Sequence, residues 1–316
     1  MTSPLHIGVD VGGTKVLAGE VDAAGRVVRT ATRRTPGRRV SVESVEDALT
    51  QAVADVAGGR PVTGVGLAAA GFVDVAGERV MFAPHLPWAG EPVRDRLSAR
   101  WGVPVALDND ANCAALAEAE LGAARAASSA LVITMGTGIG GALLLDGRLV
   151  RGAQGMAGEF GHMPVVPDGR GCECGHSGCW EQYSSGNALV RYARKRVGVE
   201  PTMLSEMCEG DPAQLTGPMV TAAAEDGDLV ARKAFARIGE WLGVGLAGLV
   251  AAFDPEVVVV GGGVSAAGDR LLDPARSALS GRLVGGRHRD VPPVVVAQLG
   301  ASAGLVGAAL LARSAP

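Results

Sequence analysis

The chain has 316 residues, of which 47% are hydrophobic and 20% charged. This composition excludes a disordered chain, and the length allows two domains of ordinary size. The net charge of −4 predicts no general attraction to nucleic acid or membranes, and the start, MTSPLHIGVD, lacks the basic and apolar regions of a signal peptide. We therefore expect a cytoplasmic protein with no nucleic-acid and no membrane partner.

The predicted elements begin with a meander of three strands, LHIGVDV, TKVLAGEV and RVVRTATR. Gly12-Gly13 separates the first two strands, and Gly-Gly between apolar runs is a hairpin signal. The pattern then predicts a helix over 41–57, a strand over 61–71, a helix over 91–101, a strand over 104–109 and a helix over 110–121.

The meander pattern starts again at Leu131, with LVITM, IGGALLL and RLVRG separated by glycine-containing turns. The glycine turns that follow the first strand of each meander lie about 125 residues apart. Internal duplication predicts two similar α/β domains, with both glycine turns aimed at a cleft between them. We place residues 1–121 plus 300–316 in an N-terminal domain and residues 122–299 in a larger C-terminal domain.

The later predicted elements are a helix over 182–197, a mainly helical region over 221–252, the strands PEVVVVGGG and PPVVVAQLG, and the final helix SAGLVGAALLAR. Strands that alternate with helices favour largely parallel layers. The longest apolar stretch, 242–264, is broken by Asp254, Pro255 and Glu256. A helix, a turn and a strand fit this stretch better than a membrane span.

The first chemical motif is DVGGTK, which starts at Asp10. Its two glycines let a ligand approach the backbone closely, and exposed N–H groups can hold phosphate oxygens. Asp10, at the end of a strand, could hold a hydrated Mg²⁺. An ordinary hairpin is the alternative, and the P-loop sequence is absent.

A denser glycine loop, TMGTGIGG, starts at Thr134. Because it repeats the first loop at an equivalent place, we favour phosphate binding over a simple tight turn. The loop also fits a dinucleotide-like pattern. No helix is predicted after it, however, so a nicotinamide cofactor is not expected.

The motif LDNDAN ends a strand and opens a helix. Asp and Asn are good helix N-caps, and that role alone would explain them. The functional interpretation is a carboxylate that acts as general base on a hydroxyl, because a hydroxyl attacking a phosphoryl group needs a positioned proton acceptor.

Three cysteines and a histidine, in the spacing H-x9-C-x-C-x4-C, predict a structural zinc site with His162, Cys172, Cys174 and Cys179 as ligands. His176 lies inside the loop and is a rival ligand. All four ligands are protein groups, so the metal should hold a loop in place and not activate water. The spacing of a nucleic-acid-binding zinc finger and its basic face are both missing.

Two carboxylates, Glu159 and Glu181, flank this predicted zinc loop. Carboxylates accept several hydrogen bonds from sugar hydroxyls, so we favour substrate binding over simple surface charge. The run Gly261-Gly262-Gly263 follows the strand VVVV, where it could pack against the base or ribose of a nucleotide; a plain strand-to-helix turn is the alternative.

Together these motifs resemble the ROK family (repressors, ORF proteins and kinases), and within it the bacterial ATP-dependent glucokinases. The resemblance runs through DVGGTK, AAAGFVD, FAPHLPW, LDNDAN, TMGTGIGG, GEFGH, the CxCG…GCWEQY loop, VVGGGVS and QLGASAGLVGAA, and so spans almost the whole chain. It implies an actin-like ATPase (ribonuclease H-like) fold and phosphorylation of a hexose, glucose first, at its 6-hydroxyl.

The resemblance also implies roles for individual residues and the cofactors ATP, Mg²⁺ and a structural Zn²⁺. Asp110 would be the catalytic base. Sugar-binding residues would be Asn109, Glu159, His162, Glu181, His85, Gly71 and Gly138. Residues for the nucleotide and Mg²⁺ would be Asp10, Gly12, Gly13, Thr14, Lys15, Thr134, Gly136, Thr137, Gly138, Gly262 and Gly263. A homodimer or homotetramer is expected.

One departure from the family pattern concerns His85. Many relatives have Asn here, within SPNLPW-like segments, whereas this chain has APHLPW. A kinase for fructose, mannose or N-acetylmannosamine therefore remains an alternative. A repressor is not expected. The repressors of the family carry a helix-turn-helix domain of several dozen residues before the first glycine loop, whereas here that loop begins at Asp10. A non-catalytic sugar sensor is disfavoured by the intact LDNDAN motif, and a polyphosphate-dependent relative by the complete cysteine loop.

Overall fold

The computed structural model describes residues 5–286 and 288–314. Its strands are β1 Leu5–Val11, β2 Lys15–Val21, β3 Val27–Arg34, β4 Val62–Ala69, β5 Phe72–Val73, β6 Val80–Phe82, β7 Val105–Asn109, β8 Ala130–Met135, β9 Ile139–Leu145, β10 Arg148–Leu149, β11 Val257–Gly261 and β12 Val294–Val296. Its helices are α1 Val42–Ala57, α2 Val93–Trp101, α3 Asp110–Leu121, α4 Gly186–Arg194, α5 Leu204–Met207, α6 Gly217–Glu225, α7 Leu229–Phe253, α8 Asp269–Arg282 and α9 Ala303–Ser314.

Two five-stranded sheets repeat one topology. The strand order is β3-β2-β1-β4-β7 in the first sheet and β10-β9-β8-β11-β12 in the second. In the first sheet β1 pairs antiparallel with β2 and parallel with β4, and in the second β8 pairs parallel with β11. The predicted duplication is confirmed, since each sheet extends from a meander into parallel strands.

The chain forms two compact units. Unit 1 contains residues 1–127, 142–158 and 301–316, and unit 2 contains residues 128–141 and 159–300. The sequence-based division differs from these units mainly in the segment 142–158, which we had placed in the C-terminal domain. The cleft expected between two domains stays a prediction.

In unit 1, one face of the first sheet packs on α1 and the other on α9. Helix α1 starts at the N-cap Ser41, whose side chain accepts from Ser44 N, and ends at Gly58 in a left-handed conformation. Helix α9 crosses β1 and β4 so closely that a Cβ at Gly8 or Gly66 would overlap its backbone. Glycine at these two positions therefore allows α9 to lie directly on the sheet.

In unit 2, α7 packs so closely on α8 that a Cβ at Gly239 or Gly243 would overlap the α8 backbone. Among the described residues, α7 is the one helix that is long and apolar enough to cross a membrane, but 61% of its most apolar window is buried. The helix ends at Asp254 in a left-handed C-cap, and β11 follows at Val257. The expected helix, turn and strand over 242–264 are thus confirmed.

Several boundaries differ from the sequence prediction. Helix α4 begins at Gly186, not at residue 182, because Trp180–Gln182 forms a short 3₁₀ turn and Ser185 then caps the helix. Strand β12 covers only Val294–Val296 of the predicted PPVVVAQLG. Helix α8, with Pro274 inside it, follows the VVGGG run, where the sequence indicated a helix without giving its bounds.

Candidate active site

In unit 1, the first glycine loop is closed by its own backbone and by the end of β3. Gly12 N donates to Lys15 O at 3.1 Å. Thr35 Oγ1 donates to Gly12 O at 2.7 Å, and Thr35 N donates to Thr14 O at 3.0 Å. Thr35 was not singled out from the sequence, because its role depends on the pairing of β2 with β3.

Gly13 lies against His85. A Cβ at Gly13 would overlap the Cβ of His85. Glycine is therefore required at position 13 by the close approach of this side chain. The backbone of Gly13 does not adopt a positive φ, although the sequence pattern had indicated a turn. The two motifs DVGGTK and FAPHLPW therefore meet in unit 1, which local sequence patterns could not show.

The motif LDNDAN lies where β7 runs directly into α3. Asn109 is the N-cap of α3, and its Oδ1 accepts from Ala111 N at 2.8 Å and Asn112 N at 3.1 Å. Its Nδ2 donates to Gly71 O at 3.0 Å. Asn109 therefore caps the helix and also binds the segment that carries Gly71.

Asp110, the first residue of α3, accepts a hydrogen bond from Ala111 N at 2.9 Å. Burial raises the pKa of the Asp110 carboxyl, and this hydrogen bond opposes the shift. Burial, and after it the charge of Asp110, raise the pKa of Asp10 to about 6 against the opposing effect of Lys15. Two carboxyl groups of raised pKa thus lie near each other beside the first glycine loop.

In unit 2, the second glycine loop lies against Glu181 and the start of α4. Ile139 N donates to Glu181 Oε2 at 3.4 Å, and a Cβ at Gly138 would overlap that same oxygen. Gly186 N donates to Gly136 O at 2.8 Å, and Asn187 N donates to Thr137 O at 3.3 Å. The loop is therefore fixed by contacts on both sides.

The VVGGG run also belongs to unit 2. Gly262 has a φ of 81°, and a Cβ there would meet Met135 O at 2.5 Å. Strand β8, which leads into the second glycine loop, is therefore in contact with the residue that follows β11. Nothing lies within 4 Å of the Cβ position of Gly263.

His162 and the three cysteines form a single cluster. Their ligand atoms all lie within 4.8 Å of one another. Cys172 Sγ is 3.7 Å from His162 Nδ1, and Cys174 Sγ is 3.6 Å from Cys179 Sγ. Tetrahedral zinc with Zn–S bonds of about 2.3 Å needs Sγ–Sγ separations of about 3.7 Å, so these four residues fit a zinc ion. The side chain of His176 is exposed and is not a member of the cluster.

The two nitrogens of His162 face different partners. Nδ1 is turned toward the sulfurs and lies 3.8 Å from Glu181 Oε1, whereas Nε2 lies 3.9 Å from Glu159 Oε2. Cys172 Sγ lies 3.2 Å from Glu181 Oε1. The arrangement thus joins the cysteine cluster to the two carboxylates that the sequence had indicated for substrate binding.

The base of the cysteine loop is attached to α7. The buried indole of Trp180 donates from Nε1 to Trp241 O at 2.7 Å and packs against Gly245. Tyr183 packs against Trp241 in a tilted arrangement, with the ring centroids 4.7 Å apart. This attachment uses no metal ligand, so it fixes the ends of the loop independently of the cysteines.

The chain belongs to the ROK family, whose sequence pattern matches residues 6–315. It is 44% identical over 312 residues to a glucokinase of Streptomyces coelicolor, with 98% of each chain covered. A crystal structure of a ROK family glucokinase from Streptomyces griseus, in complex with glucose and AMPPNP, is 46% identical and has a TM-score of 0.91 over 98% of this chain and 99% of that one. A ROK hexokinase from Thermus thermophilus is 36% identical, with a TM-score of 0.74 over 98% of each chain.

These comparisons confirm the predicted family. They also confirm the actin-like ATPase fold that the sequence resemblance implied, and the two sheets of equal topology fit this fold.

Proposed function

We propose that this chain is an ATP-dependent hexose kinase that phosphorylates glucose on its 6-hydroxyl. The similarity to glucokinases extends over nearly the whole chain, and the similar S. griseus enzyme was crystallised with glucose and an ATP analogue. The observation that carries the proposal is the placement of Asp110, whose carboxyl has a pKa raised by burial at the start of a capped helix. A carboxylate of raised pKa is a stronger proton acceptor than an exposed one.

In the proposed step, the 6-hydroxyl oxygen attacks the γ-phosphorus of ATP while Asp110 accepts the hydroxyl proton. The bond between the γ-phosphorus and the bridging oxygen breaks, and ADP leaves with that oxygen. There is little covalent work for the protein beyond this proton transfer, so positioning and neutralisation of charge dominate. Asn109 caps the helix turn that carries Asp110 and would contact a neighbouring sugar hydroxyl.

We assign the remaining sugar hydroxyls to residues on both sides of the cysteine cluster. The Nε2 of His162, together with Glu159 and Glu181, would bind them, since all three offer acceptors or donors at one place in unit 2. Gly71, Gly138 and His85 would complete the sugar site. His85 is the residue that we expect to set the preference among hexoses.

Phosphate binding is assigned to the two glycine loops. Residues 12–15 and 134–138 would hold the phosphate oxygens through backbone N–H groups, Thr hydroxyls and Lys15. Gly262 and Gly263 would lie at the adenosine end. Mg²⁺, when bound, neutralises phosphate charge, and Asp10 would hold it through water.

The zinc site would be structural. His162, Cys172, Cys174 and Cys179 would hold the ion, which supplies a closed tetrahedral centre and no open position for water. Ligation through Nδ1 leaves the Nε2 of His162 free for a sugar hydroxyl in a fixed tautomer. We further expect a cytoplasmic homodimer or homotetramer that acts at the entry of glucose into glycolysis.

The testing experiment measures ATP-dependent ADP release, with Mg²⁺, against glucose, mannose, fructose, N-acetylglucosamine and N-acetylmannosamine. Strong turnover with glucose alone supports the proposal. Turnover with another sugar would support the same mechanism with a different sugar specificity. His85→Asn is then the first variant to make, because many relatives have Asn at this position. Sugar binding without any turnover refutes the proposed kinase and favours a sensor.

A further inference from the structure

The carboxylate of Asp108 is buried at the junction of β7 and α3. The residue is 3% exposed. Its Oδ1 accepts from Asn109 N and from Asn112 Nδ2, each at 2.8 Å. Its Oδ2 accepts from Arg151 Nε at 2.9 Å and from Arg151 Nη2 at 2.7 Å. Four donors therefore satisfy one carboxylate that has almost no contact with water.

Two of these donors belong to the first turn of α3 or its N-cap. Asn109 N and the side chain of Asn112 lie on either side of Asp110 in the chain. Asp108 thus holds the backbone before Asp110 and a side chain after it. The direction in which the Asp110 carboxyl points depends on the position of this turn.

The other two donors form the fork of a single guanidinium on a distant segment. Arg151 follows β10, and its carbonyl accepts from Ala157 N at 3.0 Å, which closes a glycine-rich loop. Gly155 in that loop packs against Val73 and Asp74, where a Cβ would overlap the backbone. The loop that carries Arg151 is thereby fixed within unit 1, so it can act as a firm support for Asp108.

Several negative charges lie near Asp108, and they explain why a cation, Arg151, is its partner. Burial raises the pKa of the Cys113 thiol, the charges of Asp108, Asp10 and Asp110 raise it further, and Arg151 lowers it. Three carboxyl groups thus lie within electrostatic reach of one buried atom on α3. An ionised, buried Asp108 without Arg151 would add an uncompensated negative charge beside the two carboxyl groups of the site.

We propose that Arg151 is a positioning residue for Asp110, because its bidentate contact holds Asp108 and Asp108 holds the first turn of α3. This inference rests on the proposed function of Asp110 as the base. Arg151 itself touches neither sugar nor nucleotide in this account. The alternative is that the Arg151–Asp108 ion pair only stabilises the fold. In that case kcat and Tm should fall together in each variant.

The first test is Arg151→Lys, which keeps the positive charge but lacks the rigid planar pair of N–H groups that Arg151 directs at Asp108 Oδ2. Small misplacement of a catalytic group lowers kcat strongly, so we expect kcat to fall about tenfold to a hundredfold. The KM values for glucose and ATP should stay within about threefold and Tm within about 3 °C, because the ion pair itself remains. A kcat within about twofold of wild type would overturn the proposal.

The matched control is Arg60→Lys. Arg60, just after α1 and away from Asp110, also donates two hydrogen bonds to one carboxylate: Nη1 to Glu20 Oε1 at 3.0 Å and Nη2 to Glu20 Oε2 at 2.7 Å. We expect Arg60→Lys to leave kcat at the wild-type value with a small decrease in Tm. An equal loss of kcat in both variants would mean that any weakened Arg–carboxylate pair lowers activity, which also overturns the proposal.

The double variant Asp108→Asn/Arg151→Met distinguishes an effect on the placement of Asp110 from an effect on the stability of the protein. It removes both charges, while the amide oxygen at position 108 can still accept from Asn109 N and Asn112 Nδ2. Relative to Arg151→Met alone, we expect Tm to recover while kcat stays low, because the fork is still missing. Recovery of kcat together with Tm would identify a merely structural ion pair.

Hydrogen exchange distinguishes failure of this inference from failure of the proposed function. If the wild-type protein turns over no sugar, the kinase proposal fails, but the positioning claim is still testable on the amides of residues 109–113. Faster exchange of these amides in Arg151→Lys, with unchanged exchange in Arg60→Lys, supports the claim. Unchanged exchange in both variants overturns it.

Discussion

Gly138 and Glu181 are in such close contact that a methyl group on Gly138 would overlap Glu181 Oε2. One carboxylate therefore contacts the second glycine loop through Oε2 and the cysteine cluster through Oε1. In unit 2 the proposed phosphate loop and the proposed sugar ligands share this residue. A substitution in the second glycine loop should therefore alter sugar binding, and a change at Glu181 should alter the loop.

Gly138→Ala should displace Glu181 and raise the Kd for glucose, measured without nucleotide, by about tenfold, since a lost charge-assisted hydrogen bond is worth about 1.5–3 kcal/mol. The measurement is isothermal titration with glucose. The matched control is Gly136→Ala, because nothing lies within 4 Å of its Cβ position and its φ is not positive. Equal glucose affinities in the two variants would contradict the role of Glu181.

Asp110→Asn should lower kcat by about 10²–10⁴-fold, the range for loss of a general base. The asparagine oxygen can still accept from Ala111 N, so Tm and the Kd for glucose should remain near wild type. Steady-state kinetics, a thermal melt and glucose titration check the three parts. The control Asp47→Asn weakens an exposed ion pair between Asp47 of α1 and Arg100 of α2, and it should keep full activity. A variant at position 110 with near-normal kcat would remove Asp110 as the base.

The stability of the protein should respond to pH through Asp10. Its folded-state pKa of about 6 lies above the ordinary value of 3.8, so the folded protein holds this proton more tightly than the unfolded chain. The contribution of Asp10 to the free energy of unfolding is therefore greatest below pH 4 and falls by up to about 3 kcal/mol as the pH rises to 6 and above.

Asp10→Asn should remove that part of the pH dependence. Denaturant unfolding without Mg²⁺, at pH 5 and pH 7.5, compares the two proteins. We expect the variant to gain stability relative to wild type at pH 7.5 and to gain less at pH 5. The same difference at both pH values would show that the Asp10 pKa is not raised.

Cys172→Ser should remove zinc and weaken glucose binding, because it deletes one of four ligands and releases the loop beside Glu181. The fold should survive, since Trp180 attaches the base of the loop to α7. Metal analysis and glucose titration check this. Cys208→Ser is the control, because Cys208 is buried outside the cluster. Wild-type protein that contains no zinc would contradict the whole assignment.

The sequence predicted most elements that have a local signal. The N-cap Asn109, the glycine turns and the repeated meander all depend on neighbouring residues, and the predicted bounds of α3 match those observed. The bounds of helix α8 could not be predicted because a weak apolar pattern and Pro274, which removes a backbone donor inside the helix, obscure its period.

Contacts between distant segments could not be predicted in the same way. Gly13 with His85, Thr35 with Gly12, and Arg151 with Asp108 join residues whose proximity depends on strand pairing and loop packing. The cysteine cluster was predictable because its spacing is short and its chemistry is specific. The approach of Glu181 to Gly138 was not, since either residue alone has an ordinary explanation.

The close packing of α9 on β1 and β4 also affects the order of events during synthesis. The ribosome releases the strands of unit 1 early, but the helix that covers Gly8 and Gly66 comes from residues 303–314. Residues 159–300 of unit 2 are complete before that helix emerges. Unit 1 therefore reaches its final packing only after residues 303–314 have emerged, and until then its sheet exposes an apolar face that chaperones can bind.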